Sequence, residues 1–463
     1  MYQENGKLMD GDLRHRSSDL KIGAVQNAIV EKLTATWDAE QMQLWEDLSP
    51  EHQATLHQAM APQRTIVGVM TPHTLEELSA MVVQAQDLGC AVVPMGQGSK
   101  LGWGGLVHPA GPIVYLSTAR LNRIIDHAIG DLTITVEAGL TFAELQRSLA
   151  AVGQFLAIDP SYPDRATIGG IIATGDSGAL RHRYNSVRDM VLGVTFVRSD
   201  GQLVKAGGRV VKNVAGYDLM KLLTGSYGTL GVITQVTLRV YPLPETVQTV
   251  VLSGAPDLIK QAAQTVLNSA LTPIALDVIS APISSHLQLG KAMALLVRFQ
   301  SIRESVEEQS QRCVDLATTL GLTATIVPSE TEGDLWRHLG ECMAPTDQAD
   351  LITCKIGMKS SQAIAQLVEW ETQLPGIGAR LHLGSGLGQI VLPATVRSTQ
   401  LLAARSTCQA AGGFLTVQQA PIALKQQMEV WGEGGAALAM MQAIKQQFDP
   451  KRLFSPGRFI GGI

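Results

Sequence analysis

The chain has 463 residues, of which 45% are hydrophobic and 17% charged, and its formal net charge at pH 7 is −5. This composition is typical of a globular protein with two or three domains and argues against a disordered or fibrous chain. Lysine and arginine are scattered along a slightly acidic sequence, so no basic surface for nucleic acid is predicted. The expected partners are small molecules or other proteins.

The sequence predicts neither a membrane span nor a metal centre. Apolar runs stay below the roughly 18 residues that a transmembrane helix needs, and the first residues lack the apolar core of a secretion signal. These features favour a cytoplasmic protein. The five cysteines are far apart and form no Cys-x-x-Cys pair, which favours buried thiols over a zinc site, an iron-sulfur cluster or disulfides.

The N-terminal region divides into two parts. Residues 1 to about 20 are polar and charged without an apolar period, which predicts a flexible arm. After the arm, apolar residues recur at helical spacing, first with Ile29 and Leu33 and then with Leu44 and Leu48. Short helices are therefore predicted before the main domain.

The main domain is predicted to open with a strand, a helix and a second strand. The first strand is the apolar run Thr65–Val69. Thr74 followed by Glu77 predicts a capping box at the start of the helix, which Gly89 ends. The second strand, Cys90–Val93, leads directly into a glycine-rich loop.

Further strands and helices follow in a mixed order. Leu132–Val136 alternates like a half-buried strand, and Thr141 with Glu144 predicts another capped helix. Val191–Lys205 is typical of a hairpin around a Ser-Asp-Gly turn. This mixture predicts an α+β domain rather than a purely parallel sheet.

Two prolines in Tyr241–Glu245 interrupt the pattern and predict a domain boundary. Beyond it, apolar strands alternate with amphipathic helices. A second sheet covered by helices is therefore predicted for the rest of the chain.

Three segments combine glycines with polar residues in a way that suits a nucleotide cofactor. In the first, Gly96–Lys100, backbone N–H groups can form an anion nest, to which Ser99 and Lys100 add donors. It is neither a Walker loop nor a Gly-x-Gly-x-x-Gly fingerprint, because Leu101 stands where the third glycine is needed. Alone, it would indicate only a glycine-rich turn.

The second segment, Asp159–Gly178, contains prolines that favour an extended backbone, and Gly169 and Gly170 follow them. A flat ring can lie against such glycines without an intervening Cβ. The third segment, Val211–Thr234, places several glycines between two β-patterned stretches. These glycines are Gly216, Gly225, Gly228 and Gly231.

In this order, the three segments resemble the FAD-binding domain of the vanillyl-alcohol oxidase and cresol methylhydroxylase class. Lys212–Leu219, Arg188–Asp189 and the terminal Phe448–Arg458 are similar to the E subunits of bacterial glycolate oxidases within that class. The resemblance runs from about Thr65 to the C-terminus. It implies an α+β fold with a PCMH-type FAD-binding domain of two subdomains, followed by an α/β FAD-linked oxidase C-terminal (cap) domain.

The resemblance implies domain limits. The expected divisions are an N-terminal arm with short helices at 1–60, the FAD-binding domain at 61–244, the substrate or cap domain at 245–435, and a segment returning to the flavin at 436–463.

The resemblance also implies FAD-binding residues in all three segments. The first segment would hold the diphosphate, the second would line the flavin and ribityl chain, and the third would meet the adenine side. No histidine stands in the first loop, so the FAD is expected to be non-covalent. The implied cofactor residues are Pro94, Gly96, Gln97, Gly98, Ser99, Lys100, Pro160, Thr167, Gly169, Gly170, Thr174, Gly178, Gly228, Val232 and Ile233.

Two departures from the family leave the catalytic residues unassigned. Related hydroxy-acid dehydrogenases have a His-x-Gly-Asp-Gly-Asn-x-His motif that binds metal and substrate, but in His382–Gln389 the later ligands are replaced by Ser385, Leu387 and Gln389. The remaining histidine is therefore predicted to be a packed or capping residue, and no metal is expected. In the tail, Ser455 stands where the family has Asn.

A hydroxy acid also needs a cation for its carboxylate. The sequence offers Arg181, Arg183, Arg337 and Lys355, and spacing selects none of them.

The resemblance implies the FAD-binding subunit of a glycolate oxidase or dehydrogenase complex that oxidises 2-hydroxy acids. Its flavin would act mainly in electron transfer, with a related catalytic flavoprotein subunit and an iron-sulfur subunit as partners, which would also allow a peripheral membrane position. One alternative is a self-sufficient FAD-dependent D-2-hydroxyacid dehydrogenase, and another is a non-enzymatic scaffold subunit. NADPH-linked reduction of enolpyruvyl-aminosugar nucleotides is disfavoured, because the C-terminal half resembles FAD-linked oxidases.

Overall fold

The computed structural model describes residues 26–208, 217–345 and 350–463. The predicted flexible arm lies outside these ranges, as does the part of the third glycine segment at 211–216. None of the helices in the described ranges is long and apolar enough to cross a lipid bilayer.

The first part of the chain builds a four-stranded mixed sheet with helices. Its elements are α1 (residues 26–34), β1 (Met42–Leu44), α2 (Pro50–His57), β2 (Ile66–Met70), α3 (Leu75–Asp87), β3 (Ala91–Met95) and β4 (Ile113–Ser117). The strand order is β1-β2-β4-β3, in which β1 is antiparallel to β2 and the other pairs are parallel. Every residue of β2 and β4 is buried, as expected for parallel strands covered on both faces.

The predicted helix at Leu44 and Leu48 is wrong. Leu44 ends β1 and pairs with Gly68, because cross-strand pairing overrides the helical spacing of these two leucines. The earlier pair, Ile29 and Leu33, does lie on a helix and is buried in the core of the first sheet.

The middle part of the chain builds a five-stranded antiparallel sheet and a small ribbon. Its elements are β5 (Ile124–Ala128), β6 (Thr133–Glu137), α4 (Phe142–Ala150), β7 (Gln154–Phe155), α5 (Ile168–Thr174), α6 (Arg181–Tyr184), α7 (Val187–Met190), β8 (Val191–Val197), β9 (Leu203–Gly207), α8 (Leu219–Leu223), β10 (Val232–Arg239) and β11 (Tyr241–Pro242). The order of the sheet is β5-β6-β10-β8-β9, and β11 pairs with β7. The predicted hairpin is β8 and β9.

The two predicted helix caps differ in detail. Oγ1 of Thr141 accepts a hydrogen bond from the Glu144 N–H, and the Glu144 carboxylate accepts one from the Thr141 N–H, which completes the capping box. Thr74 caps α3 in the same way through the Glu77 N–H, but the Glu77 carboxylate accepts from the His73 N–H at 2.7 Å. The first box is therefore complete and the second is displaced by one residue.

The last part of the chain builds an eight-stranded antiparallel sheet covered by helices, as predicted. Its elements are β12 (Thr246–Gly254), α9 (Pro256–Leu267), β13 (Ala275–Ile279), α10 (Ala281–His286), β14 (Met293–Ser301), α11 (Arg303–Leu320), β15 (Thr323–Val327), α12 (Ser329–Met343), β16 (Leu351–Gly357), α13 (Ser360–Gln373), β17 (Gly378–His382), β18 (Leu387–Pro393), α14 (Ser398–Ala410), β19 (Phe414–Gln419), α15 (Ile422–Lys425) and α16 (Leu438–Phe448). The order is β15-β12-β14-β13-β17-β18-β16-β19.

The C-terminal segment returns to the first sheet. The Val92 N–H donates to the Leu453 carbonyl at 2.8 Å, and the Ser455 N–H donates to the Val92 carbonyl at 2.9 Å. Phe454, between them, is fully buried in the core of that sheet. The end of the chain is thereby fixed beside β3.

Candidate functional site

A partly open cavity, here called the cofactor cleft, lies where the end of β3 and the start of β10 meet α5. Its enclosed space is about 90 Å³, and about 730 Å³ when the open mouth is included. Every implied cofactor residue lines the cleft except Pro160 and Gly178. Three segments that are far apart in sequence therefore form one cavity.

The loop after β3 forms the first wall. Gly98 has a φ of +77°, a left-handed conformation that favours glycine. Gly96 is constrained by space, because a Cβ there would lie 2.1 Å from Oγ1 of Thr167. Oγ of Ser117 donates to the Gly96 carbonyl at 3.1 Å and holds the loop against β4. The first two predicted segments thus meet at Gly96 and Thr167.

Helix α5 forms the second wall, and Thr167 caps it by accepting a hydrogen bond from the Gly170 N–H at 3.3 Å. At Gly169, a Cβ would lie 2.8 Å from Cβ of Ala138, so close packing requires this glycine. Gly170 has only Oγ1 of Thr167 near the same position. Of the two glycines, Gly170 is therefore the one that leaves its backbone open.

Residues 226–233 form the third wall and lead into β10. Tyr227 and Gly228 turn the chain with φ values of +54° and +68°. Gly228 packs against the ring of Pro94, which brings the third segment to the first. Gly216, at the start of this segment, lies outside the described residues.

Lys100 lines the cleft, but its ammonium is already paired. Its Nζ lies 2.9 Å from the Asp176 carboxylate, and the two side chains are 5% and 9% exposed. The same Nζ lies 5.4 Å from the ring centre of Trp103. A role for this ammonium at a diphosphate stays a prediction.

Three buried cations near the C-terminus, Lys425, Lys445 and Arg458, hold the walls and are here called the C-terminal cations. Nη2 of Arg458 donates to the carbonyls of Leu101 at 2.8 Å and Trp103 at 3.1 Å. Its Nη1 is buried and has no partner among the described residues while Arg458 lines the cleft, which leaves a donor for a bound cofactor.

The two C-terminal lysines act on different walls. Nζ of Lys425 donates to the Gly104 carbonyl at 2.8 Å, beside the first wall. Nζ of Lys445 donates to the Thr229 carbonyl at 2.7 Å in the third wall and lies 2.7 Å from the Asp449 carboxylate. Sequence reasoning missed both lysines, because a long-range contact with a carbonyl leaves no periodic signal.

A second cavity, here called the side chamber, adjoins the cofactor cleft at Thr174 and encloses about 60 Å³, or about 610 Å³ with its open mouth. It contains Pro160 and Gly178, the remaining implied cofactor residues. Gly178 has a φ of +59°, and a Cβ there would lie 2.2 Å from the Asp159 carbonyl oxygen. The implied residues thus divide between two adjoining cavities.

The side chamber contains two cations that lack an ion pair. Arg181 and Lys355 line it, and among the described residues no carboxylate oxygen lies within 4 Å of either. Burial lowers the pKa of both groups. The other two candidates, Arg183 and Arg337, are exposed, and Arg337 pairs with carboxylates of its own helix. The structure therefore separates the four candidates that sequence spacing could not.

His382 has a specific partner rather than a capping role. The register of β13 and β17 places it opposite Asp277, and its Nδ1 lies 2.7 Å from Oδ1 of that carboxylate. Nε of Arg380 donates to Oδ2 at 2.7 Å. Burial raises the pKa of Asp277, but His382 and Arg380 outweigh it and hold this pKa at about 2. Asp277 is therefore an anion at neutral pH.

The replaced positions of the histidine motif lie close to this pair. Leu387 and Gln389 line the side chamber, and Ser385 lies in the turn after β17. Within the described ranges, no group of three or more His, Cys, Asp or Glu side chains could hold a metal ion.

Two protein families match parts of the chain. The FAD binding domain matches residues 67–207, and the C-terminal domain of FAD linked oxidases matches residues 425–459. The first match contains two walls of the cofactor cleft. The second contains all three C-terminal cations.

Individual proteins are also similar to the chain. It is 30% identical over 282 residues to glycolate oxidase subunit GlcD of Bacillus subtilis, which covers 58% of this chain and 57% of that protein. It is 29% identical over 348 residues to glycolate oxidase subunit GlcE of Escherichia coli, which covers 72% of this chain and 84% of that protein. The chain thus spans little more than half of the first relative and most of the second.

The fold has close structural counterparts. A p-cresol methylhydroxylase structure matches with a TM-score of 0.73 at 16% identity, covering 94% of this chain and 96% of that one. The arrangement of an FAD-binding domain followed by a C-terminal sheet domain, predicted from the sequence, is confirmed.

Changing Gly96 to alanine is expected to weaken FAD binding, because the new methyl group would collide with Thr167 and push the loop away from α5. Overpacking of this kind costs about 2 kcal/mol, or roughly 30-fold in the dissociation constant. Titration of the apoprotein with FAD, followed by flavin fluorescence, measures the change. Gly130→Ala is the control, since a Cβ there meets no atom within 4 Å. Equal affinities of the two variants would contradict the assigned contact.

The stability of the protein is expected to depend on pH through Lys425. Burial lowers the pKa of this lysine to about 7, whereas the unfolded chain keeps its proton up to a pKa of about 10. Between these values the unfolded state binds more protons, so the free energy of unfolding rises with pH.

Urea unfolding from pH 6 to 9 tests this dependence. The difference in unfolding free energy between the wild type and Lys425→Met is expected to grow above pH 7. Lys451→Met, which removes an exposed lysine, serves as the control and should give a constant difference. A constant difference for Lys425→Met as well would refute the lowered pKa.

Proposed function

We propose that this chain, which belongs to the FAD-linked oxidase family, is the FAD-binding subunit of a complex that oxidises small 2-hydroxy acids such as glycolate. The observation that carries the proposal is the cofactor cleft, in which the three glycine segments meet and the buried Nη1 of Arg458 has no partner within the described part of the chain. Two relatives, both glycolate oxidase subunits, support the substrate class and the membership of a complex.

The cleft fits FAD by the character of its walls. Gly96–Lys100 would hold the diphosphate with backbone N–H groups, Thr167–Gly178 would face the flavin and ribityl chain, and Gly228–Ile233 would meet the adenine. FAD supplies the two-electron acceptor that oxidation of a 2-hydroxy acid needs. The first loop contains no histidine, so we propose that the cofactor is bound non-covalently.

We further propose that the flavin serves mainly in electron transfer. The partners would be a related catalytic flavoprotein subunit and an iron-sulfur subunit. The complex would act in the cytoplasm and meet a membrane only through those partners.

A second candidate is an enzyme that oxidises the hydroxy acid without partners. The side chamber favours it, because two unpaired cations lie in a cavity that adjoins the cofactor cleft. A non-enzymatic scaffold is the third candidate, and flavin content distinguishes it from the other two.

Anaerobic mixing of the purified, FAD-loaded chain with glycolate tests these candidates. We expect about one dissociable FAD per chain, slow bleaching of its absorbance in the isolated protein, and fast bleaching after the catalytic partner is added. Fast bleaching of the isolated chain would establish the second candidate instead. Purification without any flavin, and failure of added FAD to bind, would leave only the scaffold.

A further inference from the structure

We propose that the binding of FAD is coupled to the uptake of a proton by Lys425, so that this lysine sets how the affinity for the cofactor changes with pH. Lys425 lies behind the first wall of the cofactor cleft and does not line the cleft itself. The inference concerns the cofactor and goes beyond the proposed function, because it holds for any substrate and any partner.

Lys425 is a buried cation without a counter-charge. It is 7% exposed, and its Nζ donates to the carbonyls of Gly102 and Gly104. Among the described residues no carboxylate lies within 4 Å of it, whereas the ammonium of Lys445 lies 2.7 Å from the Asp449 carboxylate. Burial without a counter-charge disfavours the charged form of a lysine. A neutral amine keeps two hydrogens for the two carbonyls, so the proton can leave without the loss of either contact.

The charge that acts on Lys425 is that of the Arg458 guanidinium. The two side chains donate to alternating carbonyls of one stretch of chain, because Nη2 of Arg458 donates to those of Leu101 and Trp103. Burial, and then repulsion from Arg458, lower the pKa of Lys425 to about 7. The lysine is therefore partly neutral at neutral pH while no anion is bound.

Other ionisable groups around this pair are neutral or paired. The hydroxyls of Tyr115 and Tyr227 act on Arg458, and burial raises the pKa of both, so they stay protonated. In the first wall, Nζ of Lys100 lies 2.9 Å from the Asp176 carboxylate. These groups keep their charge from pH 6 to 9.

A histidine also lies near the C-terminal end of this network. A Cβ on Gly457 would lie 3.3 Å from the side chain of His108, and burial lowers the pKa of that ring. The ring is therefore neutral at pH 8, where Lys425 is still able to gain a proton. Measurements at pH 6 and pH 8 separate the two groups.

A bound diphosphate would reverse the balance of charge. Gly96–Lys100, which would hold it, leads directly into the carbonyls that Lys425 and Arg458 bind. Arg458 also lines the cleft with a buried Nη1 that has no partner in the described ranges. An anion there would offset the guanidinium charge and favour the protonated lysine. Because such coupling is reciprocal, a proton on Lys425 tightens FAD binding by the factor by which FAD favours the proton.

Calorimetric titration of the apoprotein with FAD, in two buffers of different ionisation enthalpy, counts the protons taken up. If FAD raises the pKa of Lys425 by one unit, about 0.4 proton is expected per FAD at pH 8 and less than about 0.1 at pH 6. A histidine would give the opposite trend, because it titrates at lower pH. No uptake at pH 8, or a larger uptake at pH 6, would overturn the inference.

Variants assign the uptake to one residue. For the same one-unit rise, the affinity of the wild type for FAD should fall about eightfold from pH 6 to pH 9, while that of Lys425→Met should change by less than about twofold. Lys425→Met should also take up no proton at pH 8. Lys451→Met, which removes an exposed lysine, is the control and should keep the uptake and the pH dependence of the wild type.

The pH dependence distinguishes this coupling from a purely structural role. If Lys425 only held the two carbonyls, its loss would weaken FAD by the same factor at every pH. Parallel pH profiles for Lys425→Met and the wild type would therefore overturn the inference. The proton count of the wild type tests it independently of how well the variant folds.

Failure of this inference and failure of the proposed function give different results. FAD that binds without proton uptake, in a chain whose complex is still reduced by glycolate, would overturn the inference alone. Proton-coupled binding of FAD in a complex that glycolate does not reduce would overturn the proposed function alone. A chain that binds no FAD would overturn both.

Discussion

The cofactor cleft depends on buried ammonium and guanidinium groups that hold backbone carbonyls. A glycine-rich loop has few side chains to pack, and its buried carbonyls must find donors. Arg458 and Lys425 supply those donors to the first wall, and Lys445 supplies one to the third. A hydrogen bond from a charged donor contributes about 1.5–3 kcal/mol, so these contacts offset part of the conformational entropy that the loop loses on folding. The cleft of the first domain is therefore shaped by the last forty residues of the chain.

Buried charge has a different role in the side chamber. In the cofactor cleft the C-terminal cations donate to carbonyls and form part of the scaffold, while Nη1 of Arg458 has no partner among the described residues. In the side chamber Arg181 and Lys355 have no carboxylate within 4 Å among the described residues, and Asp159, Asp189 and Asp176 act on them only from farther away. Arg380 pairs with both Asp277 and Asp159. The side chamber is thus lined by paired charges and by two cations without an ion pair. The pairs make its walls rigid, and the two cations make its interior net positive.

The local patterns of the sequence predicted local structure well. The capped helix after Thr141 and the hairpin of β8 and β9 follow from side chains near one another in the chain. The glycine segments could be linked to one cavity only through resemblance to a family. The pairing of Asp277 with His382 spans 105 residues and depends on the register of β13 and β17, so no periodicity could reveal it.

The wrong prediction for Leu44 has the same cause, a contact with a strand that is distant in sequence. Its spacing from Leu48 suits a helix, and only the presence of β2 gives it a strand partner. Likewise, the replaced histidine motif predicted a loss of metal ligands but could not show that an aspartate from another strand would hold the remaining histidine.

Both edges of the first sheet are covered by segments from other parts of the chain. Three residues of β1 cover β2 on one side, and the segment around Phe454 lies along β3 on the other. A protein shortened to begin at residue 61 would leave the fully buried strand β2 with unpaired N–H and C=O groups at an open edge. Such an edge recruits strands from other molecules. The residues before position 61 therefore belong to the same folding unit as the first sheet, and Thr55 also lies against Gly98 in the first wall of the cofactor cleft.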